Sequence, residues 1–269
     1  MTVWNEIADR VWVRRYRFFD QTIGVVGGDG GLLVIDTRTS HRQGAELLAD
    51  LGELPGAVRW VINTHHHADH CFGNWVFRDA ELWGHERCAA WLIAHGATMR
   101  DELVDEMPDG AAEWREVVVT PPTVTFGHRA TIDLGDRAVE LRYLGRGHTD
   151  DDVVVTVPAV GVLFAGDLLE NGAPPWFGEG FPLDWPATTE ALIALAAGPV
   201  APGHGDVADR AFAERSLEEF RAVADLGRRV AAGDLSIEAA VARGPYGPKG
   251  SREPIERATA QARGALDPG

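Results

Sequence analysis

Thr64-His65-His66-His67-Ala68-Asp69-His70 contains four metal-ligand side chains in an H-x-H-x-D-H pattern. The run 58–63 directly before it is apolar and β-branched, which predicts a buried strand that leads into a loop. A polyhistidine tag would lie at a terminus and contain histidine alone, whereas this cluster follows a core strand and includes an aspartate. The pattern therefore predicts a metal site at the end of a strand.

The spacing within this motif divides its ligands into two groups. Histidines two positions apart on an extended segment lie on the same side, so His65 and His67 can bind one ion together. Asp69 and His70 lie further along the turn, where they are placed to begin a second site.

Three more residues of ligand type follow strand-like runs later in the chain, namely His148, Asp167 and His204. A single histidine is often only a hydrogen-bonded polar group, but the strand-end position of each favours ligation. Asp167 could instead cap the turn that follows it.

In order and spacing, these ligand-type residues resemble the metallo-β-lactamase superfamily, over residues from about 11 to 220. The resemblance implies a four-layer αββα sandwich of the α/β (α+β) class, in which the ligand-bearing loops meet at one edge between two sheets. It also implies the ligand sets, with His65, His67 and His148 for the first ion, Asp69, His70 and His204 for the second, and Asp167 as a bridge.

The same resemblance implies a dinuclear metal-dependent hydrolase. Zinc accepts imidazole nitrogen and carboxylate oxygen and keeps a position open for water in catalytic sites, so two zinc ions are expected, with iron or manganese as alternatives. A water shared by two ions loses its proton near neutral pH, and the hydroxide attacks a carbonyl. Asp69 is the expected catalytic residue, because its second oxygen can orient that hydroxide.

An internal echo of the sequence predicts the same architecture. Residues 31–36 and 161–167 are each a glycine turn, a buried strand and a terminal aspartate, and each is followed by a helix and then by a strand ending at a histidine. Two β-rich halves with helices outside them predict a four-layer sandwich. We expect one domain over residues 1–269, with a helical segment lacking strands at about 74–118 and C-terminal helices at about 210–269.

The composition limits the partners. The chain has 25 Lys and Arg residues against 41 Asp and Glu residues, a net charge of −16. Nucleic-acid binding requires basic side chains that neutralise phosphates, so a small-molecule substrate is expected rather than a nucleic acid.

No apolar run approaches the ~20 residues that cross a bilayer. Residues 1–10 lack a signal-peptide pattern, and only Cys71 and Cys88 are present, which together predict a cytoplasmic protein. The sequence leaves the oligomeric state open.

Several reactions fit the resemblance. We expect hydrolysis of a small carbonyl substrate such as a lactam, lactone or thioester, with β-lactamase activity proper as one alternative. Lactamases with a cysteine ligand carry it near the position of Asp167, so the ligand set is more similar to that of glyoxalase II. The C-terminal region, with Tyr246 and Lys249, has no matching glutathione pattern. A diiron-type oxidoreductase usually depends on a flavin domain, for which this length leaves no room, and the acidic balance disfavours a phosphodiesterase.

The segment Pro174-Pro175-Trp176-Phe177 follows Asp167 closely and must begin near the metal edge. Two adjacent prolines stiffen it and fix the direction of the aromatics after them. Trp176 or Phe177 is predicted to form an apolar wall over the metal centre; the alternative is that both fill the core.

Other polar residues receive simpler interpretations. Asp36 and Asp151 are candidate hydrogen-bond partners for ligand imidazoles, or ordinary caps. Cys71 is interpreted as a small buried hydrophobe rather than a ligand. The histidines that fit no ligand spacing are expected on the surface or in the core: His41, His66, His85, His95 and His128.

Overall fold

The computed structural model describes residues 3–266, which fold around two mixed β-sheets. The first sheet has the spatial order β1 (Asn5–Ala8), β2 (Val11–Arg15), β3 (Thr22–Gly28), β4 (Gly31–Ile35), β5 (Val58–Ile62), β6 (Glu81–His85) and β7 (Val124–Phe126). The second has the order β12 (Val200–Gly205), β11 (Val162–Asn171), β10 (Val153–Val157), β9 (Ala138–Tyr143) and β8 (Arg129–Asp133). The predicted domain limits, residues 1 and 269, lie outside the described residues.

Helices lie along the chain between and after these strands. They are α1 (His41–Leu51), α2 (Ala68–Cys71), α3 (Glu86–Glu106), α4 (Ala111–Arg115), α5 (Trp185–Leu195), α6 (Arg210–Ala232), α7 (Ile237–Val241) and α8 (Gly247–Ala262). Short 3-10 turns occur at Phe18–Asp20, Asn74–Phe77 and Pro108–Gly110. Within residues 3–266, no helix combines the length and apolar character needed to cross a bilayer.

Alternation along β4 shows how the layers form. Leu33 and Ile35 join the core between the two sheets, whereas Leu32 and Val34 join an outer cluster that includes Leu47 of α1. A strand buried on both faces reads as a continuous apolar run, which is why no polar residue interrupts β4.

The second sheet is covered in the same way. Val153 and Val155 of β10 lie in the core between the sheets, and Val154 lies in an outer cluster with Trp185 of α5 and Phe220 of α6. The predicted four-layer αββα sandwich is therefore confirmed.

Local chemistry sets the start of α1. Ser40 is its N-cap, since the Gln43 amide donates to Ser40 Oγ at 3.1 Å. This helix connects the parallel neighbours β4 and β5, so the loop that follows β5 emerges at the same edge as the end of β4.

The expectation that residues 74–118 lack a strand is wrong. β6 lies inside this segment and pairs in parallel with both β5 and β7. Leu82 packs in the outer cluster, while Trp83 packs against the core between the sheets. Five residues with one glycine carry little strand signal of their own, and the pairing with two neighbours determines their conformation. The rest of the segment contains α3 and α4, as predicted for a helical region.

The strand that carries Asp167 continues further than its apolar run. β11 reaches Asn171, and its register with β12 shifts on both sides of Gly166. Gly166 has a φ of 53°, and an added Cβ would lie 2.9 Å from Thr64 Cβ. This irregular, close-packed point brings Asp167 next to the loop after β5.

Candidate metal centre

Asp36 organises the loop that follows β5. Both of its oxygens are used: the Thr64 amide donates to Oδ1 at 2.8 Å, and the Thr64 hydroxyl donates to Oδ2 at 2.8 Å. His70 Nδ1 lies 2.9 Å from Asp36 Oδ2. An N–H donated from Nδ1 leaves His70 Nε2 facing the site, so the structure confirms the predicted contact of Asp36 with an imidazole of the motif.

The first predicted ligand set converges on one point. His67 Nδ1 lies 2.9 Å from His65 Nε2 and 2.9 Å from His148 Nε2. Two nitrogens bound to one tetrahedral zinc ion would be ~3.3 Å apart, given Zn–N bonds of ~2.05 Å. On its far side, His148 Nδ1 lies 3.1 Å from the carbonyl oxygen of Trp176, which orients Nε2 inward.

The second predicted set converges beside the first. Asp69 Oδ2 lies 3.4 Å from His70 Nε2 and 3.3 Å from His204 Nε2. His204 Nδ1 donates to the carbonyl oxygen of Phe19 at 2.6 Å, which again leaves Nε2 facing the centre.

Asp167 lies between the two sets. Its Oδ2 is 3.7 Å from His65 Nε2 and 3.4 Å from His148 Nε2 on one side. On the other side it is 3.4 Å from His70 Nε2 and 3.1 Å from His204 Nε2. One oxygen within reach of both sets is the arrangement that a bridging ligand requires.

Two further observations show that these residues fit metal ions. Among the described residues, His70 Nε2 and Asp167 Oδ1 are buried without a hydrogen-bond partner, which is costly for a polar atom unless an ion or water satisfies it. An added Cβ at Gly203 would lie 1.8 Å from Asp167 Oδ1, so the backbone leaves this carboxylate just enough room. Imidazole nitrogens and carboxylate oxygens are donors that zinc, iron and manganese all accept.

The candidate ligands differ in how burial and neighbouring charges shift their pKa values. Burial, reinforced by neighbouring histidines, lowers the pKa of His148 to about 3, so its ring is neutral and its lone pair available. Burial alone would raise the pKa of Asp167, but the attraction of His204, His70 and His65 outweighs it and holds that pKa well below its usual range. Burial opposes a charge on His204, yet Asp167 raises its pKa to about 10.

Glu179 is a site residue that the sequence did not reveal. Its Oε1 is hydrogen-bonded to His67 Nε2 and lies 3.2 Å from His66 Nε2. His66 Nδ1 in turn lies 2.8 Å from Asp151 Oδ2, and the His66 ring stacks on Trp91 with centroids 4.0 Å apart. Asp151 thus supports His66 rather than a ligand imidazole, and Glu179 turns His67 Nδ1 toward the first set.

The remaining polar residues behave as expected. Cys71 is buried and its thiol donates to the carbonyls of His66 and His67, while burial raises its pKa. The non-ligand histidines are distributed between the core and the surface, with His66 and His85 buried, His41 half-buried, and His95 and His128 exposed.

A cavity of about 470 Å³ opens over the ligand sets. Trp176 lines it, is 49% exposed, and has its ring centroid 5.3 Å from that of His67. Phe177 is 1% exposed and packs 4.8 Å from Trp185 in the outer core. Phe177 is therefore a core residue, and the expectation that it forms a cavity wall is wrong.

Comparison with known proteins agrees with this geometry. The family model of the metallo-beta-lactamase superfamily matches residues 16–204. A metallo-beta-lactamase type 2 of Bacillus cereus is 24% identical over 200 residues, which are 72% of this chain and 70% of the relative. The type 2 protein of Bacteroides fragilis is 33% identical over 90 residues, 32% of this chain and 36% of its own.

Solved structures share the fold. The metallo-beta-lactamase from Pontibacter korlensis superposes with a TM-score of 0.64 at 23% identity, covering 82% of this chain and 99% of its own. TMB-1 superposes with a TM-score of 0.65 at 21% identity, covering 82% and 97%.

The two-sheet fold, the His/Asp ligand cluster and the family match indicate a metal-dependent hydrolase with a candidate dinuclear site. Since the family model spans well over half of the sequence, the chain belongs to the metallo-beta-lactamase superfamily.

Proposed function

We propose that this protein is a zinc-dependent hydrolase of a small carbonyl substrate, such as a lactam, lactone or thioester. The observation that carries the proposal is the position of Asp167 Oδ2 within 3.7 Å of ligand nitrogens from both sets, beneath an open cavity. His65, His67 and His148 would hold one ion, Asp69, His70 and His204 the second, and Asp167 both.

Two bound dications would polarise the carbonyl and lower the pKa of a water molecule. The protein groups supply the rest. Asp69 lines the cavity and directs Oδ2 toward the second set, so its Oδ1 can accept a proton from the attacking water. The reaction forms one carbon–oxygen bond and breaks the acyl bond to nitrogen, oxygen or sulfur, and the leaving atom takes a proton.

β-Lactams are the first substrates to test, because the similar proteins named above are metallo-beta-lactamases. Family members that are about one quarter identical can act on different substrates, so lactones and thioesters belong in the same panel. An oxidoreductase would need iron in the centre, which metal analysis distinguishes directly from zinc.

The proposal is tested by metal analysis combined with a hydrolysis panel of lactams, lactones, thioesters and phosphodiesters. We expect about two equivalents of metal in the loaded protein. His148→Ala should lower both metal content and turnover, whereas His128→Ala, at an exposed histidine outside the site, should change neither. One equivalent of metal in a fully loaded sample, or a His148→Ala variant as active as the parent, would contradict the dinuclear assignment.

We also propose that the protein is located in the cytoplasm. Cys71 and Cys88 are both free and buried, which suits a reducing compartment. Fractionation of the producing cells, with an antibody against the native chain, tests it; recovery from an oxidising compartment would overturn it.

A further inference from the structure

Two exposed aromatic residues flank the metal centre. Phe19 is 44% exposed and Trp176 is 49% exposed, and both line the cavity. Each is tied through its backbone carbonyl to a different ligand histidine, Phe19 to His204 at 2.6 Å and Trp176 to His148 at 3.1 Å. The backbone that carries each ring is therefore held next to one of the ligand sets.

The backbone at Phe19 is strained. Its φ is 52°, a left-handed conformation that a bulky residue rarely adopts. The Phe19 ring contacts Phe18, with centroids 4.5 Å apart, and is left 44% exposed at the cavity. Met99 and Leu103 of α3 also line the cavity.

The charged side chains on this wall, apart from the ligands, are acidic. Glu170 lines the cavity and its Oε1 accepts the Trp176 amide at 2.9 Å. In either protonation state a carboxyl group offers no positive charge to a substrate. Asp20 also lines the cavity, and the guanidinium of Arg15 that contacts it is shared with Asp206.

We propose that this cavity selects acyl substrates whose groups on either side of the reacting carbonyl are apolar and carry no negative charge. The inference rests on the hydrolase proposed above and adds its substrate class. A substrate carboxylate on the wall would lose its water against Phe19, Trp176 and Leu103, and the acidic side chains would not compensate that loss.

Neutral substrates and substrates that carry a carboxylate must be compared by kcat/KM. A substrate could also bind with its carboxylate, rather than its reacting carbonyl, at the bound dications. A measured affinity would then describe this non-productive orientation. Non-productive binding lowers kcat and KM together, so kcat/KM reports only the productive complex.

The test uses matched substrate pairs with the zinc-loaded protein. One pair is p-nitrophenyl hexanoate and its ω-carboxylate analogue, the mono-p-nitrophenyl ester of adipic acid. The other is benzylpenicillin methyl ester and benzylpenicillin. We expect kcat/KM of the neutral member to exceed that of the acid by about tenfold or more in the pair that is hydrolysed, given the cost of an unpaired charge.

Variants at Ala173, an exposed residue on the cavity rim, identify the cause. Ala173→Lys should bring the two rates of a pair closer together by supplying a cation, and Ala173→Met, of similar length without charge, should not. Equal kcat/KM within the pairs, or a ratio that is the same in all three proteins, would overturn the inference alone. No turnover of any panel substrate would overturn the proposed hydrolase, and this inference with it.

Discussion

Glu179 determines which nitrogen of His67 faces the candidate metal centre. Its carboxylate binds Nε2, so Nδ1 points toward His65 and His148. His66 supports Glu179 from the side. Carboxylates that orient a ligand imidazole in this way also increase its basicity, which strengthens metal binding.

We expect Glu179→Ala to weaken metal binding about 10- to 100-fold. Competition with a chromophoric chelator measures this. Because the Glu179 side chain is 40% exposed, the melting temperature of the metal-free protein should change little. Glu218→Ala, at a side chain that is 71% exposed on α6, is the matched control. Metal affinity equal to the parent would show that Glu179 does not position His67.

Gly203 gives a second prediction for a single residue. The Cβ of Gly203→Ala would lie 1.8 Å from Asp167 Oδ1 and 3.0 Å from the Gly166 carbonyl carbon, so the carboxylate must move. We expect loss of roughly one equivalent of metal, since Asp167 is proposed to bind both ions of the two-metal site. Gly52→Ala, at the end of α1 with a φ of −62°, is the control and should keep full metal content. Two equivalents in Gly203→Ala would contradict the bridging assignment.

The segment between β11 and α5 contains adjacent aromatics with opposite surroundings. Trp176 is half exposed at the cavity, whereas Phe177 is buried against Trp185 and Phe220. This segment therefore forms the cavity wall with one side and is anchored to the outer core by the other.

Paired substitutions test that division. Phe177→Ala should destabilise the fold by ~3–5 kcal/mol, as for other truncated core aromatics, with a lower denaturation midpoint. Trp176→Ala should leave the midpoint nearly unchanged and lower kcat/KM for apolar substrates, because it removes only cavity surface. Each variant controls for the other, and equal loss of stability in both would remove the distinction.

Elements with strong local patterns were predictable from the sequence. The apolar run before His65 and the periodic run of α6 both carry their signal within one segment. β6 was not predictable, because Glu81–His85 becomes a strand only by pairing with β5 and β7. Glu179 was missed for the same kind of reason: it reaches His67 across 112 residues of chain from a loop without periodicity. Trp176 and Phe177 have opposite surroundings because the core lies on one side of their segment, and the sequence does not show on which side.

Across the whole molecule, the candidate metal ligands come from both sheets. The motif from His65 to His70 follows β5 of the first sheet, while Asp167 and His204 lie in β11 and β12 of the second. Bound metal would therefore join the two sheets at one edge, in addition to the apolar core between them. A ligand that binds only the folded state stabilises it in proportion to the logarithm of its concentration.

Removal of metal should consequently lower the melting temperature. At a free metal concentration about 1,000 times Kd, binding stabilises the folded state by ~4 kcal/mol. Thermal unfolding with added zinc and with excess EDTA measures the difference. The shift should be smaller in His148→Ala, which lacks one ligand from the second half of the chain. Identical melting curves with and without EDTA would show that metal does not join the sheets.

The same distribution of ligands has a consequence for biosynthesis. The motif ligands leave the ribosome first, His148 follows, and Asp167 and His204 come last. Chains are made at ~5–20 residues per second, so several seconds separate the synthesis of His148 from that of His204. During that interval the nascent chain holds all three histidines of the first set but only part of the second. Trp176 and Glu179, which orient His148 and His67, are also made before His204, so the order of synthesis completes the first set before the second.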